Sequence, residues 1–455
     1  MKLAYNVKDK PKFGQLLIFA FQQLLAILAA TIAVPAIVGN GMSQSAALFG
    51  AGIGTLVYLL FTKFKSPVFL GSSFAFLGSM FAAFGGAASM KVGYLGIIIG
   101  AAFAGLVYVL IALIVKLAGV KWINKLMPAV VIGPTVAIIG LSLAGNAIGD
   151  SLAGAYNADA GAYVMSTGVW VAFICALVTL ITVILCSVFG KKMMKLVPFI
   201  IGILAGYAVA AIFTLIGTKT GNDALKVINF DVFKEMKIFA VPDFTFITAF
   251  KGIKAITGKY IATIAVAYVP VAFVVFAEHI ADHKNLSSVI ESELLEDPGL
   301  HRTLLGDGVG SMVGAFFGGC PNTTYGESVG CVAITGNASI VTILTTAIMA
   351  MVISFFGPFV TFLSTIPSCV MGGVCITLYG FIAVSGLKML QPVDLNDNRN
   401  LFTASVILIA GIGGMTLKIG QVTLTEIACA LILGIIVNLL VSCKKDKKEE
   451  AEVKE

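Results

Sequence analysis

Residues 318–327 read GGCPNTTYGE, and residues 66–76 read SPVFLGSSFAF. Each stretch places a proline, then glycine and hydroxyl or β-branched residues, ahead of a short apolar run. Such a segment begins extended and ends helical, so it leaves backbone groups unpaired at mid-membrane unless they face a cavity or a ligand. Interruptions of this kind in corresponding places of two halves are typical of the binding site of a transporter.

The composition around these stretches is that of a membrane protein. The chain has 455 residues, of which 58% are hydrophobic and 12% charged, whereas a soluble protein carries about 25% charged residues. At about 20 apolar residues per crossing, a dozen or so spans would use the whole length and leave no room for a soluble catalytic domain. The net charge of +7 comes from lysine clusters between apolar runs, which are topology signals, so nucleic-acid binding is set aside.

Fourteen apolar runs predict an all-α polytopic membrane protein. They cover residues 14–34, 46–61, 68–86, 93–118, 127–146, 165–189, 197–217, 260–281, 303–319, 321–336, 338–364, 366–387, 400–416 and 421–441. The separation of Gln22 from Phe74 nearly equals that of Glu278 from Glu327, which fits two seven-span repeats. Because seven is odd, the second repeat must be inverted. Short extended segments are predicted in spans 3 and 10. The first run is longer than the ~7 to 15 residue core of a signal peptide and is taken as a retained span.

Lysines in the short loops predict the orientation. Three clusters follow even-numbered spans: Lys63 and Lys65; Lys116, Lys121 and Lys125; Lys191, Lys192 and Lys195. Because cytoplasmic loops retain positive charge, both termini are predicted in the cytoplasm, with the chain in the cell (cytoplasmic or inner) membrane. One segment disagrees, since residues 218–259 are predicted outside and contain seven lysines.

The eight cysteines are isolated and lie almost entirely inside apolar segments. They are Cys175, Cys186, Cys320, Cys331, Cys369, Cys375, Cys429 and Cys443. Without paired CxxC spacing they are interpreted as small apolar residues, not as disulfides or zinc ligands. No metal site is predicted.

Four acidic residues fall inside apolar runs: Glu278, Asp307, Glu327 and Glu426. A lone ionisable group in hydrocarbon is costly, so each needs a partner, a cavity or a proton. Glu278 and Glu327 occupy equivalent inner positions of the two repeats and are predicted to form the site, whereas Glu426 fits a structural or interfacial group. A nucleobase, with N–H donors and carbonyl acceptors, would satisfy two carboxylates and the free N–H groups of two half-helices. An anion would be repelled by the carboxylates.

Three histidines accompany these acids. His279 and His283 flank Asp282 at the inner end of span 8, and His301 lies in a polar loop. A histidine beside a buried acid exchanges a proton near neutral pH, but a histidine at a helix end also serves as a cap. Both interpretations stay open for His283, and the helix-end interpretation is preferred for His301.

Five stretches of the sequence resemble the uracil permease branch of the nucleobase–ascorbate transporter family. They are EHIADH at 278–283, EDPGLHR at 296–302, PNTTYGE at 321–327, GSSFAF at 71–76 and VMGGV at 370–374. The similarity covers essentially the whole chain, and the string NTTYGE is specific to the pyrimidine-like branch.

The resemblance implies a proton-coupled symporter that imports uracil by alternating access, commonly as a homodimer, without catalysis and with no cofactor other than the coupling proton. It implies a core domain from residues 1–120 (spans 1–4) and 260–364 (spans 8–11). The gate domain is implied for residues 121–259 (spans 5–7) and 365–443 (spans 12–14). The tail, residues 444–455, is predicted to be disordered because of its charge.

Six residues are carried over to substrate binding: Glu278, Glu327, Phe74, Gly326, Ala30 and Tyr325. The two glutamates would accept hydrogen bonds from the pyrimidine N–H groups. The backbone amides at Phe74 and Gly326 would serve its carbonyls, and Ala30 and Tyr325 would line the pocket.

Three positions depart from the family pattern. Ser328 stands where the family signature has asparagine, and Gln23 stands where the usual Gln-His pair of span 1 has histidine. Asp282 stands where family members commonly have histidine, one helical turn after the glutamate of span 8. Proton coupling is predicted at Glu278, Asp282, His283 or Asp307.

Three other functions stay open. A purine or xanthine permease would belong to the same family, and a channel or anion exchanger would share the fold. An enzyme embedded in the membrane would use Glu278 and Asp307, but the sequence offers it neither a nucleophile with a base nor a metal-ligand cluster.

Overall fold

A computed structural model describes residues 3–119, 127–191, 193–419 and 422–452. Three of the lysines used for the topology prediction, Lys121, Lys125 and Lys192, lie outside the described residues. The side chain of Cys443 is also outside them, and the other seven cysteines are buried with free thiols, as predicted.

The described chain is almost entirely helical. The helices of the first half are α1 (Phe13–Val38), α2 (Gln44–Phe61), α3 (Leu77–Gly85), α4 (Met90–Ala118), α5 (Ala129–Ser142), α6 (Ala144–Ser151), α7 (Thr167–Phe189), α8 (Met193–Leu196) and α9 (Pro198–Thr220). Those of the second half are α10 (Thr245–Ala249), α11 (Gly258–Ile290), α12 (Leu300–Gly318), α13 (Gly326–Thr335), α14 (Ile340–Ile353), α15 (Gly357–Ser364), α16 (Ser368–Lys388), α17 (Asn398–Ile412) and α18 (Glu426–Glu452). The strands are β1 (Leu70–Ser72), β2 (Tyr156–Asn157), β3 (Ala162–Tyr163), β4 (Asn322–Thr324), β5 (Leu417–Ile419) and β6 (Val422–Leu424).

Every predicted apolar run coincides with at least one helix. Within the described ranges, eight helical segments are long and apolar enough to cross a membrane, and four shorter apolar helices accompany them. The remaining two runs contain α12 and α13. Runs 127–146 and 338–364 each hold two helices, and in the second of these a proline at the start of α15 begins a new helix because proline suits the first helical turn. The prediction of an all-α polytopic membrane protein is confirmed.

The two interrupted stretches cross and pair inside the helical bundle. β1 and β4 run antiparallel, with Leu70 opposite Thr324, Gly71 opposite Thr323 and Ser72 opposite Asn322. All residues of both strands are buried, so the pairing satisfies backbone groups that an isolated extended segment would leave free in hydrocarbon. A short 3₁₀ turn, Phe74–Phe76, leads from β1 into α3, and β4 leads into α13. The prediction of extended segments in spans 3 and 10 is confirmed.

Glycines allow α12 to lie against α2. α12 carries a glycine at every fourth residue: Gly306, Gly310, Gly314 and Gly318. A Cβ added at Gly50 of α2 would lie 2.5 Å from the carbonyl oxygen of Gly314, so only small residues permit this approach. The side-chain amide of Asn322 donates to the carbonyl of Gly50 at 3.0 Å. The close helix pair therefore also holds β4 in place.

The helices pack in two groups. α1 to α4 pack with α11 to α14, whereas α5, α6, α7 and α9 pack with α16, α17 and α18. α1 and α11 also contact members of the second group. The assignment of the two groups to a core and a gate domain stays a prediction.

The last helix extends beyond the last predicted apolar run. α18 continues to Glu452, so most of residues 444–455 is helical, and 453–455 lie outside the described residues. The segment is rich in lysine and glutamate, which are strong helix formers. Disorder of this tail, which its charge predicts, stays a prediction.

Candidate substrate-binding site

A cavity of about 520 Å³ lies where the crossing strands meet α11. Its polar side is formed by Ser73 and Phe74 after β1, by Glu278 and Asp282 of α11, and by residues 325–327 after β4. The facing side is mostly apolar and comes mainly from α5, α9 and α16 with the residue that follows α16: Val136, Phe199, Leu378, Phe381, Ile382 and Met389. The polar residues Ser187, Lys195 and Ser385 also line the cavity. Three carboxylates therefore share one cavity with a mostly apolar wall opposite them.

Helix periodicity places two of the carboxylates on the same face. Glu278 and Asp282 are four residues apart on α11, which makes them neighbours on the helix surface. The hydroxyl of Thr324, the last residue of β4, donates to Asp282 Oδ2 at 2.8 Å. Glu327, the third carboxylate, lies in the first turn of α13. The Thr324 bond therefore ties α11 to the strand crossing immediately before the helix that carries Glu327.

Two backbone N–H groups at the crossing have no protein acceptor in the described structure. Ser73 N–H still donates across the crossing, to the carbonyl of Pro321 at 2.9 Å. Phe74 and Gly326 are the first residues of the helical segments that follow, and neither N–H makes a hydrogen bond there. The first N–H groups of a helix lack internal partners and form its positive end. Both residues line the cavity, so these donors are available to a ligand.

Tyr325 is held rigidly at the side of the cavity. Its hydroxyl donates to the carbonyl of Ser72 at 2.8 Å. A Cβ added at Gly71 would lie 2.3 Å from the Tyr325 ring, so the ring packs directly on the backbone of β1. Any larger residue at Gly71 would displace the ring, and the orientation of Tyr325 therefore depends on this glycine.

Two of the three departures from the family pattern contact each other. Gln23 of α1 donates from Nε2 to Ser328 Oγ at 2.5 Å, and Phe69 N–H donates to the same oxygen at 3.0 Å. A serine hydroxyl has two acceptor lone pairs, and both are used here. Because Ser328 follows Glu327, this single oxygen ties α1 and the chain entering β1 to the first turn of α13.

Removing this hydroxyl is expected to destabilise the protein. Ser328→Ala would leave the buried N–H of Phe69 unpaired, at a cost of about 1 to 3 kcal/mol, and would leave Gln23 Nε2 with only its 3.4 Å contact to the carbonyl of residue 328. We expect a lower melting temperature in detergent, by about 2 to 4 °C. Ser328→Thr, which keeps the hydroxyl, is the matched control. An alanine variant that melts like the wild type would show that the hydroxyl is not structural.

The histidines lie behind the cavity and do not line it. His279 Nδ1 is 2.8 Å from Asp307 Oδ2, and His279 Nε2 is 2.9 Å from Thr303 Oγ1. His283 Nε2 is 2.6 Å from the hydroxyl of Tyr58 on α2. All five side chains are fully buried. They join α11 to α12 and to α2 through buried polar contacts.

His283 does not cap a helix end. α11 extends beyond the predicted run to Ile290, and the side chain of His283 is buried. Five residues separate it from Glu278, which turns it by about 140° around the helix. Asp282, at four residues, stays on the cavity face. Of the two residues predicted after Glu278 for proton coupling, only Asp282 therefore lines the cavity.

Other predicted residues lie away from the cavity. Ala30 is buried in α1 but does not line the cavity, whereas Ala26, about one turn earlier, does. Glu426 begins α18 and His301 lies in the first turn of α12, both half-buried and outside the lining. Five of the six predicted substrate-binding residues are thus brought together. Their contact with substrate stays a prediction.

The sequence model of a protein family described as the permease family matches residues 14–420 of the chain. The chain belongs to this permease family. The uracil permease of Bacillus caldolyticus is 40% identical over 442 residues, covering 96% of this chain and 95% of the relative. The uracil permease of Bacillus subtilis (strain 168) is 39% identical over 460 residues, covering 100% and 98%. The resemblance found in the sequence is confirmed, and membership indicates a transporter rather than an enzyme.

A solved transport domain shares the fold of this permease. The transmembrane domain of a cyanobacterium bicarbonate transporter, BicA, superposes with a TM-score of 0.65, covering 95% of this chain and 100% of that domain. The two sequences are 17% identical, so the likeness concerns the fold alone. It agrees with a multi-pass helical membrane protein.

Proposed function

We propose that this permease imports uracil together with protons across the cytoplasmic membrane. The observation that carries the proposal is one cavity holding Glu278, Asp282 and Glu327 opposite an apolar wall, with the free N–H groups of Phe74 and Gly326 at its edge. The names of the relatives support uracil as the substrate. We further propose that both termini lie in the cytoplasm, as the loop lysines predict.

The functional groups of uracil are complementary to those of this cavity. Its ring carries two N–H donors, which Glu278 and Glu327 accept, and two carbonyls, which the N–H groups of Phe74 and Gly326 serve. Hydrogen bonds to an ionised carboxylate are roughly twice as strong as neutral ones. The apolar wall covers the ring, and a small anion is disfavoured because the carboxylates repel it.

Asp282 holds the coupling proton in this proposal. Three carboxylates in one cavity repel each other, and a proton on one of them reduces the charge that crosses the membrane with the substrate. Among the four residues predicted for coupling, Glu278 and Asp282 line the cavity, whereas His283 and Asp307 lie behind it. Asp282 also accepts a hydrogen bond from Thr324 of β4. Protonation of Asp282 therefore changes a contact to the strand that leads to Gly326 and Glu327.

In this proposal, alternating access is a movement of one helix group against the other, because the two sides of the cavity belong to different groups. The polar side belongs to the group of α1 to α4 and α11 to α14, whereas the apolar side belongs to α5, α9 and α16. An apolar surface makes no directional hydrogen bonds to the substrate. The first group carries the bound uracil past this surface, and the cavity then opens to the other side.

Competition between nucleobases tests the proposed substrate. The affinities of xanthine and cytosine are measured by competition with uracil in titration calorimetry on the purified protein. We expect both affinities to be at least about tenfold lower than that of uracil. Xanthine carries a second ring fused to the pyrimidine ring. Cytosine presents an acceptor at N3, where a carboxylate needs a donor. Equal competition by xanthine would replace the pyrimidine assignment with the purine branch of the family. Equal competition by cytosine would contradict recognition by two carboxylates.

A further inference from the structure

The end of the lysine-rich connection between α9 and α11, with the first two residues of α11, forms a fixed platform, which we call the 245–259 platform after its residues. α10 continues directly into a 3₁₀ helix, Phe250–Ala255, and both pack on α4. Ala249 and Gly252 are buried against it, and a Cβ added at Gly252 would lie 2.8 Å from the backbone carbonyl of Lys91. The Phe246 ring also stacks on Phe316 of α12, with centroids 4.9 Å apart. The platform is therefore anchored to the bundle on its inner side.

The outer side of the platform carries two rows of side chains. Ile247, Phe250 and Ile253 are 47%, 50% and 51% exposed, and they follow each other at intervals of three residues. Lys251 and Lys254 are exposed with the same spacing. Residues three apart lie above one another in a 3₁₀ helix, so a basic row runs beside an apolar row.

The lysines of this platform differ in pairing from those earlier in the connection. Lys226 pairs with Asp223 at 2.7 Å, and Lys234 pairs with Asp231. In the part of the chain that the structure describes, Lys251, Lys254 and Lys259 form no ion pair, and neither does the adjacent Lys91. Four positive charges therefore remain unneutralised around an exposed apolar row.

We propose that the 245–259 platform, with Lys91, binds the headgroup phosphates of anionic phospholipids. The apolar row enters the boundary between headgroups and acyl chains, and the lysine stems reach up to the phosphates. Charge complementarity selects anionic over zwitterionic lipid, because basic residues at a membrane surface attract anionic headgroups. Lipid binding would explain why lysines occur in a segment that the topology prediction places outside. This role does not depend on which nucleobase is transported.

A fluorescent reporter in the apolar row tests this proposal. Phe250→Trp is introduced after Trp122 and Trp170 are replaced by phenylalanine, and the full chain is reconstituted into vesicles of phosphatidylcholine. A fixed fraction of brominated phosphatidylglycerol or of brominated phosphatidylcholine is then included as quencher. We expect the anionic quencher to be about twofold or more as effective, with the preference falling as salt is raised. Ile253→Trp serves as a second reporter if the first variant does not fold.

Paired variants separate a local site from overall charge. Lys251→Gln with Lys254→Gln should abolish the preference for phosphatidylglycerol, whereas Lys226→Gln with Lys234→Gln removes the same charge from the same connection and should retain it. Equal quenching by the two lipids in the parent protein would overturn the proposal. An equal loss in both double variants would also overturn it, because net charge alone would then explain the preference.

Discussion

Glutamine at either Glu278 or Glu327 is expected to weaken uracil binding by about tenfold to a hundredfold. Each substitution replaces a carboxylate oxygen by an amide NH₂ that can face a ring N–H, so two donors meet without an acceptor. An unpaired buried donor costs about 1 to 3 kcal/mol, and about 1.4 kcal/mol corresponds to a factor of ten in affinity. Titration calorimetry on the purified variants measures the change directly.

A matched control for these variants is Glu426→Gln, which makes the same chemical change in a half-buried glutamate outside the cavity. It should bind uracil like the wild type. If both cavity variants also bind normally, the substrate site lies elsewhere in the bundle. If only one of them is affected, the ring is held by a single carboxylate and the other has a different role.

Asparagine at Asp282 is expected to abolish uptake driven by a proton gradient while leaving exchange of labelled for unlabelled uracil intact. The amide oxygen can still accept from Thr324, so the local structure is retained, but the side chain no longer takes up a proton. Uptake and exchange are measured on the same proteoliposomes, which separates coupling from binding and movement.

His283→Gln is the comparison for the Asp282 variant, because it lies one residue further along α11 but faces Tyr58 rather than the cavity. It should retain accumulation driven by the gradient. The reverse pattern, with normal accumulation in Asp282→Asn and loss in His283→Gln, would place the proton on the buried histidines. Normal accumulation in both would leave Glu278 or Asp307 as the carrier.

The sequence was sufficient for the crossing segments and for the pair of glutamates. Proline and glycine in 66–76 and 318–327 are local signals, because they act on the backbone of their own segment. Glu278 and Glu327 stand out since an acid is rare in an apolar run. Phe74 and Gly326 follow from the positions where the extended segments must become helical.

Contacts between distant segments could not be predicted in the same way. Gln23 and Ser328 are 305 residues apart, and each was noticed in the sequence only as a departure from the family pattern. Thr324 lies inside the predicted string, but nothing local indicates that its hydroxyl reaches Asp282. The apolar wall had no signal at all, because Phe381 in an apolar helix looks the same whether it faces lipid or a cavity.

Burial of the histidines could not be predicted from the sequence for a related reason. A polar stretch after an apolar run usually marks the end of a membrane helix, and residues 282–290 follow this pattern. Neighbouring helices supply partners for His279 and His283, so α11 continues as a helix with one buried face. Whether a polar segment is solvated or buried depends on these neighbours, which the local pattern does not contain.

Proton movement caused by uracil alone is the sharpest measure of the proposed symport. Proteoliposomes are loaded with a pH-sensitive dye, the same buffer is used inside and outside, and uracil is added outside with no imposed gradient. We predict that the lumen acidifies on addition of uracil, that xanthine produces no such change, and that the Asp282→Asn protein takes up uracil without acidification. Uracil entry into wild-type vesicles at constant internal pH would contradict proton symport.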